Sequence, residues 1–195
     1  MKKADNFPSA VSCNICIIGL GYVGLPIALE ISKTKTCKFS GVELKRNVIG
    51  FDISEKRLKE LRSGIDITKQ HNNEEILESN LKILTSDKEE LINSDVFIIT
   101  VPTPIDSANQ PDLRALKKAT ETIGETLLKR KKASSSLIIY ESTVFPGATE
   151  EICIPIIENI SGLKINRDFY CGFSPERINP GDYKNSLDSI IKVTS

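Results

Sequence analysis

The sequence predicts an α/β fold in which a doubly wound, mainly parallel sheet carries helices on both faces. Short apolar runs suited to strands buried on both faces alternate with helical patterns, as is typical of parallel sheets. The first run, at residues 15–18, ends in a glycine turn that leads straight into a helix. Because 195 residues can bury one good core, we expect one domain over residues 13–195 after a poorly ordered polar arm at residues 1–12.

The glycine turn places Gly19, Gly21 and Gly24 in a G-x-G-x-x-G pattern between the first strand and the first helix. In this setting the first glycine allows a tight turn, the second leaves room for a pyrophosphate, and the third lets the helix lie close to the strand. The helix N-terminus adds N–H groups and the positive end of a dipole. The spacing alone would also fit a plain tight turn, but its flanking elements favour a dinucleotide site of Rossmann type.

The second strand of such a unit should end in an acidic residue that binds the adenosine ribose, and two residues compete for this role. Asp52 ends an apolar run and is followed by a capped helix start, whereas Glu43 lies at the more usual distance from the glycines but has no helix start after it. We favour Asp52, which makes residues 37–47 a surface excursion or an extra hairpin. An acid here favours NAD over NADP; Arg57 would either offset that preference or cover the adenosine side.

Two capping boxes predict short helices in the next part of the chain. Asn72 and Glu75 form one box, Ser86 and Glu89 form the other, and a brief strand at residues 81–84 separates them.

The strong apolar run at residues 96–101 predicts a strand beside the first one, in the order 3-2-1-4, with its carboxyl end facing the cofactor crevice. Residues 102–104 then read Pro-Thr-Pro, a rigid segment short of donors. It would suit a wall against a ribose or nicotinamide ring, although a purely structural proline loop fits the composition nearly as well.

The last third of the chain continues the alternation of helices and strands. Asp112 is expected to cap a long helix whose apolar stripe packs in the core. Thr143 follows a strand and faces the crevice, where it would hold a water or a cofactor group, or would simply cap a helix. The other elements are a fifth strand at residues 137–140, a helix from Pro146 kinked at Pro155, a sixth strand at 169–173 and a last short strand at 190–193.

Charge and composition argue against several classes of protein. The 26 basic and 26 acidic residues cancel, so no nucleic-acid partner is expected. With no signal segment and no long apolar run, we expect a cytoplasmic protein without a membrane span. The five cysteines include Cys13 and Cys16 at redox-motif spacing, but at the start of a strand they are expected to be buried free thiols. The single histidine, His71, is expected at the surface before a helix, no metal site is expected, and the basic run at residues 129–132 should be a solvated helix end.

Five motifs in the same order resemble the UDP-glucose/GDP-mannose dehydrogenase family, and the likeness spans nearly the whole chain from residue 14. They are GLGYVGLP at residues 19–26, GFD at 50–52, VPTP at 101–104, ESTVFPGAT at 141–149 and FSPERINPG at 173–181. Residues 174–182 look most like the branch that oxidises UDP-N-acetylhexosamines for bacterial surface polysaccharides.

The resemblance implies an NAD-dependent oxidation of the sugar C6 alcohol to a carboxylate, in two steps through a cysteine-bound thiohemiacetal and thioester. It also implies roles for the matching residues in the cofactor site: the pyrophosphate would be bound by Gly19, Gly21, Tyr22, Val23 and Gly24, the adenosine ribose by Asp52 and Arg57, and the rest of the site would be lined by Val101, Pro102 and Thr103. At the reacting end, Thr143 and Glu176 would hold a water for proton transfer and hydrolysis. The nucleotide-sugar would be bordered by Glu176, Arg177, Ile178 and Asn179.

The sequence departs from the family in lacking the Gly-x-Cys motif that carries the nucleophilic cysteine with its assisting lysine and aspartate. None of the five cysteines is therefore assigned that role. We expect an amino-terminal half, either an expressed fragment or a truncated gene product, that binds NAD without turning over. The resemblance implies that the full-length protein acts on a UDP-sugar and forms a homodimer or a larger assembly.

Two other functions remain open for this sequence. One is a stand-alone dinucleotide-binding sensor, and the other is a different NAD-dependent dehydrogenase, such as a 6-phosphogluconate or hydroxyacid enzyme. A polar pair at the reacting end, Thr143 and Glu176, favours the nucleotide-sugar enzyme over a sensor, which needs no such pair.

Overall fold

The computed structural model describes residues 7–81, 83–105, 109–131 and 134–175. These residues form a six-stranded sheet in the order β3-β2-β1-β4-β5-β6, with every neighbouring pair parallel. The predicted order around the first strand is therefore confirmed. The strands are β1 (Ser12–Ile18), β2 (Lys45–Phe51), β3 (Ile83–Thr85), β4 (Val96–Ile99), β5 (Ser136–Tyr140) and β6 (Phe169–Phe173).

Helices connect the strands and cover both faces of the sheet. They are α1 (Gly24–Lys33), α2 (Glu55–Arg62), α3 (Asn73–Leu77), a 3-10 turn (Lys88–Leu91), α4 (Arg114–Lys129) and a π-helical turn (Thr149–Cys153) that continues into α5 (Ile154–Ser161). Successive side chains of β1 point to opposite faces. Ile15 and Ile17 belong to the apolar cluster of α1 and α2, whereas Cys16 and Ile18 belong to the cluster of α4 and α5. The predicted doubly wound architecture is thus confirmed.

The extra segment between α1 and β2 forms a small hairpin, which was one of the two possibilities predicted for residues 37–47; the other was a surface excursion. Thr36 and Glu43 make an antiparallel bridge, and the Cys37 N–H donates to the Val42 carbonyl at 2.9 Å. Glu43 therefore precedes β2, while Asp52 follows its carboxyl end. Since ligands bind at the carboxyl ends of parallel strands, this order favours Asp52 over Glu43 as the ribose-binding acid, an assignment that stays a prediction.

Capping differs from the prediction at the 3-10 turn and at α4, and agrees with it at α2, which Ser54 caps, and at α3. The Asn72–Glu75 capping box of α3 is confirmed, because each side chain accepts the other's N–H. The Ser86–Glu89 box is wrong: Asp87 caps the Glu89 N–H at 2.9 Å, and a single 3-10 turn follows. The N-cap of α4 is Leu113 rather than Asp112, whose carboxylate instead accepts the N–H of Arg114 at 3.0 Å.

The helix predicted from Pro146 begins later and changes type. It starts at Thr149 as a π-helical turn and becomes α-helical at Ile154, with Pro155 in the first α-helical turn. A proline lacks the N–H that the preceding turn would otherwise bind, so a change of helix type at this place has a local cause. The strand predicted at residues 190–193 lies outside the described residues.

The basic run after α4 is not a uniformly solvated helix end. Arg130 turns back under the sheet, where its side chain is 4% exposed and Nη2 lies 2.8 Å from Asp95 Oδ1. The other oxygen of Asp95 accepts the Asn14 N–H at 3.0 Å, so the ion pair ties α4, β4 and β1 together at the amino edge of the sheet. Sequence could not reveal this pairing because the partners are 35 residues apart.

Other local expectations have mixed outcomes. Cys13 and Cys16 are buried free thiols, as predicted. The imidazole of His71 is only 18% exposed and lies 3.3 Å from Glu75, so its predicted surface position is wrong. In the part of the chain that the structure describes, no helix has the length and apolar character required to cross a membrane.

Candidate functional site

A cavity of about 520 Å³ opens at the carboxyl edge of the sheet, where the glycine turn meets the ends of β2, β4 and β5. Most of the residues predicted for a cofactor site line it together. They are Gly19, Gly21, Tyr22, Val23, Asp52, Val101, Pro102, Thr103 and Thr143.

The three glycines of the turn differ in what surrounds them. Gly19 has a φ of +94°, a conformation that favours glycine. A Cβ added at Gly24 would lie 1.9 Å from the Gly19 carbonyl oxygen and 2.4 Å from Thr100 Oγ1, so α1 can approach β1 only without a side chain here. A Cβ added at Gly21 would meet no atom within 4 Å. The protein itself leaves this space open, which fits a pyrophosphate.

The backbone of the turn is held by the surrounding strands and helices. The Gly19 N–H donates to the Phe51 carbonyl at 2.8 Å, and the Gly19 carbonyl accepts the Thr100 hydroxyl at 2.7 Å. These bonds fix the first peptide units in place before any ligand arrives. The first turn of α1 has no acidic residue and no capping side chain, which suits an incoming anion.

Leu20, the next residue of the turn, is fully buried and is held by two side chains from the β2–α2 unit. Its N–H donates to Asp52 Oδ2 at 2.8 Å, and its carbonyl accepts the Arg57 Nε–H at 2.9 Å. The second oxygen of Asp52 accepts the Ser54 N–H at 2.8 Å, at the start of α2. Asp52 thus lines the cavity and at the same time fixes the turn beside it.

The loops after β4 and β5 are linked to each other at the other wall. The Thr103 hydroxyl donates to the Thr143 carbonyl at 2.5 Å, and the Ser142 hydroxyl donates to the Val101 carbonyl at 2.6 Å. Both bonds use backbone acceptors, so they shape the wall and leave the Thr143 hydroxyl for other partners. Pro102 completes this largely apolar wall.

Sequence reasoning missed the contribution of α4. The helix was predicted to serve only the core, and its stripe from Leu113 to Leu127 does pack there. However, Ala115, Lys118, Ala119 and Thr122 line the cavity. Their i, i+3, i+4 and i+7 spacing and their mostly small side chains are the sequence features that could have indicated a helix face open to a cavity. Ile53 and Thr68 also line the cavity and belong to none of the motifs, whereas Glu141 and Ser142 lie in the ESTVFPGAT motif but were assigned no role.

Arg57 and Gly24 do not line the cavity, although both were expected in the cofactor site. Gly24 lies beneath the turn, where it serves close packing. Arg57 is buried, 6% exposed, and reaches the Leu20 carbonyl and Asp66 instead of the cleft. The other expected residues, Glu176, Arg177, Ile178 and Asn179, lie outside the described residues.

Asp66 is a buried acceptor beside the cavity. Burial alone would raise the pKa of its carboxyl, but hydrogen bonds from the Thr68 side chain and from Arg57 outweigh burial and lower the pKa below its usual value. The group is therefore ionised in the folded protein at neutral pH, as the buried cation beside it requires.

None of the five cysteines lies in the cavity as a candidate nucleophile. Burial raises the pKa of the Cys171 thiol to about 12 and also raises the pKa of Cys16, Cys13 and Cys153. The pKa of Cys37 is lowered, chiefly by a hydrogen bond from the Ser40 side chain, but this thiol lies on the hairpin. No cysteine is among the lining residues, and the described ranges contain no group of three or more metal-ligating side chains.

Comparison with known proteins shows which family and which relatives the chain is similar to. A family model described as the UDP-glucose/GDP-mannose dehydrogenase family, NAD binding domain, matches residues 13–193. UDP-N-acetyl-D-glucosamine 6-dehydrogenases of Pseudomonas aeruginosa and Salmonella typhi are 49% and 48% identical to the chain over 181 residues. Each match covers 93% of this chain but only 39% of the relative, so the chain spans about two fifths of their length.

A solved structure shares the architecture. The GDP-mannose dehydrogenase of Pseudomonas aeruginosa, determined as a ternary complex, superimposes with a TM-score of 0.71 at 29% identity. The match covers 85% of this chain and 36% of the other.

Proposed function

The chain belongs to the UDP-glucose/GDP-mannose dehydrogenase family, as its NAD-binding domain, and from this premise we propose that it supplies the cofactor site of a nucleotide-sugar 6-dehydrogenase. The proposed substrate of the whole enzyme is a UDP-N-acetylhexosamine, whose C6 alcohol is oxidised to the uronic acid. Support for the N-acetyl sugar comes from the names of the two relatives that are nearly half identical to the chain.

One observation carries the proposal for the cofactor. The turn is fixed at Gly19 and Leu20, while the space at Gly21 is left open by the protein itself, directly beside the Asp52 carboxylate. A pyrophosphate needs backbone donors without an obstructing side chain, and the neighbouring ribose needs an acceptor for its hydroxyls. The residues present therefore fit a dinucleotide.

Each lining residue has a chemically reasonable task in this proposal. Bound NAD supplies the hydride acceptor for the oxidation. Gly21, Tyr22 and Val23 bind the pyrophosphate, and Asp52 accepts hydrogen bonds from the adenosine ribose. The wall of residues 101–103 orients the rest of the cofactor and excludes water from it.

We propose that Thr143 takes part in proton transfer. It is exposed at the carboxyl end of β5, on the cavity wall opposite the glycine turn, and its hydroxyl can hold a water there. We propose that Glu176 shares this water and acts as the base in proton transfer and hydrolysis, a role in which a carboxylate is chemically sensible. Arg177, Ile178 and Asn179 are proposed to border the nucleotide-sugar.

The cofactor proposal is tested by calorimetric titration with NAD and NADP. We expect NAD to bind more tightly than NADP, and Asp52→Ala to weaken NAD binding about tenfold or more, since the change removes an acceptor for the ribose and a support of the turn. Glu43→Ala is the matched control, because it removes an acid from the neighbouring hairpin and should leave binding unchanged. A wild-type chain that binds no NAD overturns the proposal.

A chimera separates an enzyme from a sensor. Replacing the matched part of the Pseudomonas aeruginosa relative with this chain should give a protein that reduces NAD when UDP-N-acetyl-D-glucosamine is added. Glu176→Gln in the chimera should slow release of the acid more than the first oxidation. The isolated chain should form no NADH under the same conditions, because its cavity lining offers no cysteine. A folded chimera that binds NAD and forms no NADH would favour the sensor.

A further inference from the structure

The hairpin between α1 and β2 is a part of the chain that the sheet does not require. α1 ends at Lys33 and β2 begins at Lys45, whereas about two to six residues are common between a helix and the next strand. The hairpin lies at the amino edge of the sheet, while the cavity opens at the carboxyl edge. Its side chains are therefore available for a role other than building the cofactor site.

Backbone hydrogen bonds give the hairpin a defined shape. Below the bridge between Thr36 and Glu43, the Leu44 N–H donates to the Lys35 carbonyl at 2.7 Å. At the other end, the Gly41 N–H donates to the carbonyl of residue 37 at 2.9 Å and closes the turn. The tip at residues 38–41 is therefore carried by two chain segments that are bonded to each other.

Phe39 lies at this tip and is fully exposed, at 101%. In the described ranges the other exposed aromatic residues, Phe7, Tyr22 and Phe145, keep about half of their surface covered. Val42, on the returning segment of the hairpin, is exposed as well. A phenyl ring that is wholly in water gains free energy from any apolar environment that it can enter.

The residues around this ring carry a local excess of positive charge. The exposed cations are Lys35, Lys38 and Lys45. Glu43 is the single acid from residue 34 to residue 47. Because the chain as a whole has no formal net charge, the excess belongs to this edge of the molecule. It would attract an anionic surface within about one Debye length, about 10 Å at 0.1 M salt.

The size of the tip favours a lipid surface over a protein as its partner. A stable protein interface covers about 800 Å² on each partner. The apolar part of this tip is one phenyl ring and one valine, which is too small for such an interface. A bilayer needs no matching pocket, because it accepts an aromatic ring at the level of the headgroups while neighbouring lysines meet anionic lipids.

We propose that this hairpin makes a peripheral contact with an anionic lipid surface, in which Phe39 inserts at the headgroup level and the three lysines lie against the headgroups. The contact rests on the membrane without crossing it. The cavity at the opposite edge of the sheet stays open, and the proposal does not depend on the cofactor. One ring and three lysines give weak, reversible binding, with an association constant of about 10³–10⁴ M⁻¹.

The experiment is cosedimentation of the chain with vesicles of phosphatidylcholine that contain phosphatidylglycerol. We expect binding at about 0.1 M salt, release at about 1 M salt, and far weaker binding to vesicles of phosphatidylcholine alone. Phe39→Ala should bind the anionic vesicles about tenfold more weakly, because the ring no longer inserts. The double variant Lys35→Gln, Lys38→Gln should lose about tenfold or more through its charge.

Matched controls change the same residue types elsewhere on the surface. Phe145→Ala removes an exposed ring that follows β5 at the carboxyl edge. The double variant Lys56→Gln, Lys59→Gln removes two exposed lysines from α2. Both controls should bind the anionic vesicles like wild type. Phe39→Ala should keep the circular dichroism spectrum and the Tm of wild type, because its ring is fully exposed.

Insertion of the ring itself is measured with Phe39→Trp. The chain contains no tryptophan, so the new indole is its only tryptophan fluorophore. Its emission should shift to shorter wavelength when the anionic vesicles are added, and brominated lipid should quench it, because an indole favours the membrane interface. Phe145→Trp should show neither change.

Two results would overturn the proposal. If wild type does not bind the anionic vesicles at the lower salt concentration, the partner of the hairpin is not a lipid surface, and a protein takes its place as the candidate. If Phe39→Ala binds as well as wild type, or the indole at position 39 is neither shifted nor quenched, any binding comes from another part of the surface. Titration with NAD is unaffected by either result and tests the proposed function alone.

Discussion

Two alanine substitutions in the glycine turn should separate its binding role from its packing role. In Gly24→Ala the new methyl group would lie 1.9 Å from a backbone oxygen and 2.4 Å from Thr100 Oγ1. The backbone oxygen cannot move without shifting the turn, and the Thr100 hydroxyl can rotate away only by giving up its bond to the Gly19 carbonyl. Overpacking of this kind costs about 1–3 kcal/mol or more, and for a domain of this size each kcal/mol lowers Tm by about 2–4 °C. We expect Tm to fall by about 4–10 °C in this variant.

Gly21→Ala should behave in the opposite way. The added methyl group meets no protein atom within 4 Å, and Gly21 is not among the glycines with positive φ. Replacement of glycine at a compatible position stabilises by about 0.4–1 kcal/mol through the unfolded state, so Tm should be unchanged or slightly raised. The methyl group does occupy the space left for the pyrophosphate. NAD affinity should therefore fall about tenfold or more.

The assay is thermal unfolding of wild type and both variants, with and without NAD, together with calorimetric titration of NAD. A ligand that binds only the folded state stabilises it by RT ln(1 + [L]/Kd), so at the same NAD concentration the rise in Tm should be clearly smaller for Gly21→Ala than for wild type. The reasoning fails if Gly21→Ala binds NAD like wild type, or if it is the less stable of the two variants. A Gly24→Ala variant that melts like wild type would show that the turn can yield at small cost.

Three further predictions concern groups away from the turn. Arg130→Met should lower the free energy of unfolding by about 2 kcal/mol, measured in urea, because it removes the cation from Asp95, whose side chain is only 17% exposed. Arg130→Lys should recover part of the loss, and a loss below about 1 kcal/mol would mean that the pair is solvated. Iodoacetamide under native conditions at neutral pH should label Cys37 first, because the pKa of this thiol is lowered. Cys171, whose pKa is raised to about 12, should react only after unfolding. Mass spectrometry of peptides measures the order, and a reversed order would contradict the prediction. The pKa of Asp66 is lowered in the folded state, so its ionised carboxylate stabilises the fold above about pH 4, its unfolded pKa, and this contribution is lost as the pH falls through the folded pKa. Stability should therefore fall less steeply with decreasing pH in Asp66→Asn. An identical pH profile for the variant and wild type would contradict the lowered pKa.

The features that sequence predicted correctly are those with local causes. The glycine turn, the α3 capping box and the apolar runs of β1, β4 and β5 each act over a few residues. The sheet order followed from the strand–turn–helix unit, because parallel crossovers allow few alternatives. The structure also places Asp52 at the carboxyl end of β2 and Glu43 before that strand, as the combination of a strand end with a helix start indicated; the ribose-binding role of Asp52 stays a prediction.

The features that sequence missed depend on the direction in which a side chain points or on partners that are distant along the chain. Arg57 and Arg130 both looked like solvent-facing or ligand-facing cations, and both are buried against carboxylates. Their partners, Asp66 and Asp95, belong to other elements and carry no motif. The α4 residues at the cavity were missed because the period of a helix shows which positions share a face, but not which face meets a cleft.

Cofactor choice at this site rests on two groups, of which sequence could assess only one. A carboxylate offers about four lone-pair sites, and Asp52 uses one on each oxygen for the Leu20 and Ser54 N–H groups. Two sites remain, which matches the two hydroxyls of an adenosine ribose, while a 2′-phosphate would face an anion. A cation nearby could have neutralised that repulsion, and Arg57 is the cation in reach along the chain. Asp66 and the Leu20 carbonyl hold its guanidinium beneath the turn, while the Asp52 carboxylate lines the cavity itself. We therefore expect a 2′-phosphate to meet the carboxylate first and NADP to bind more weakly than NAD.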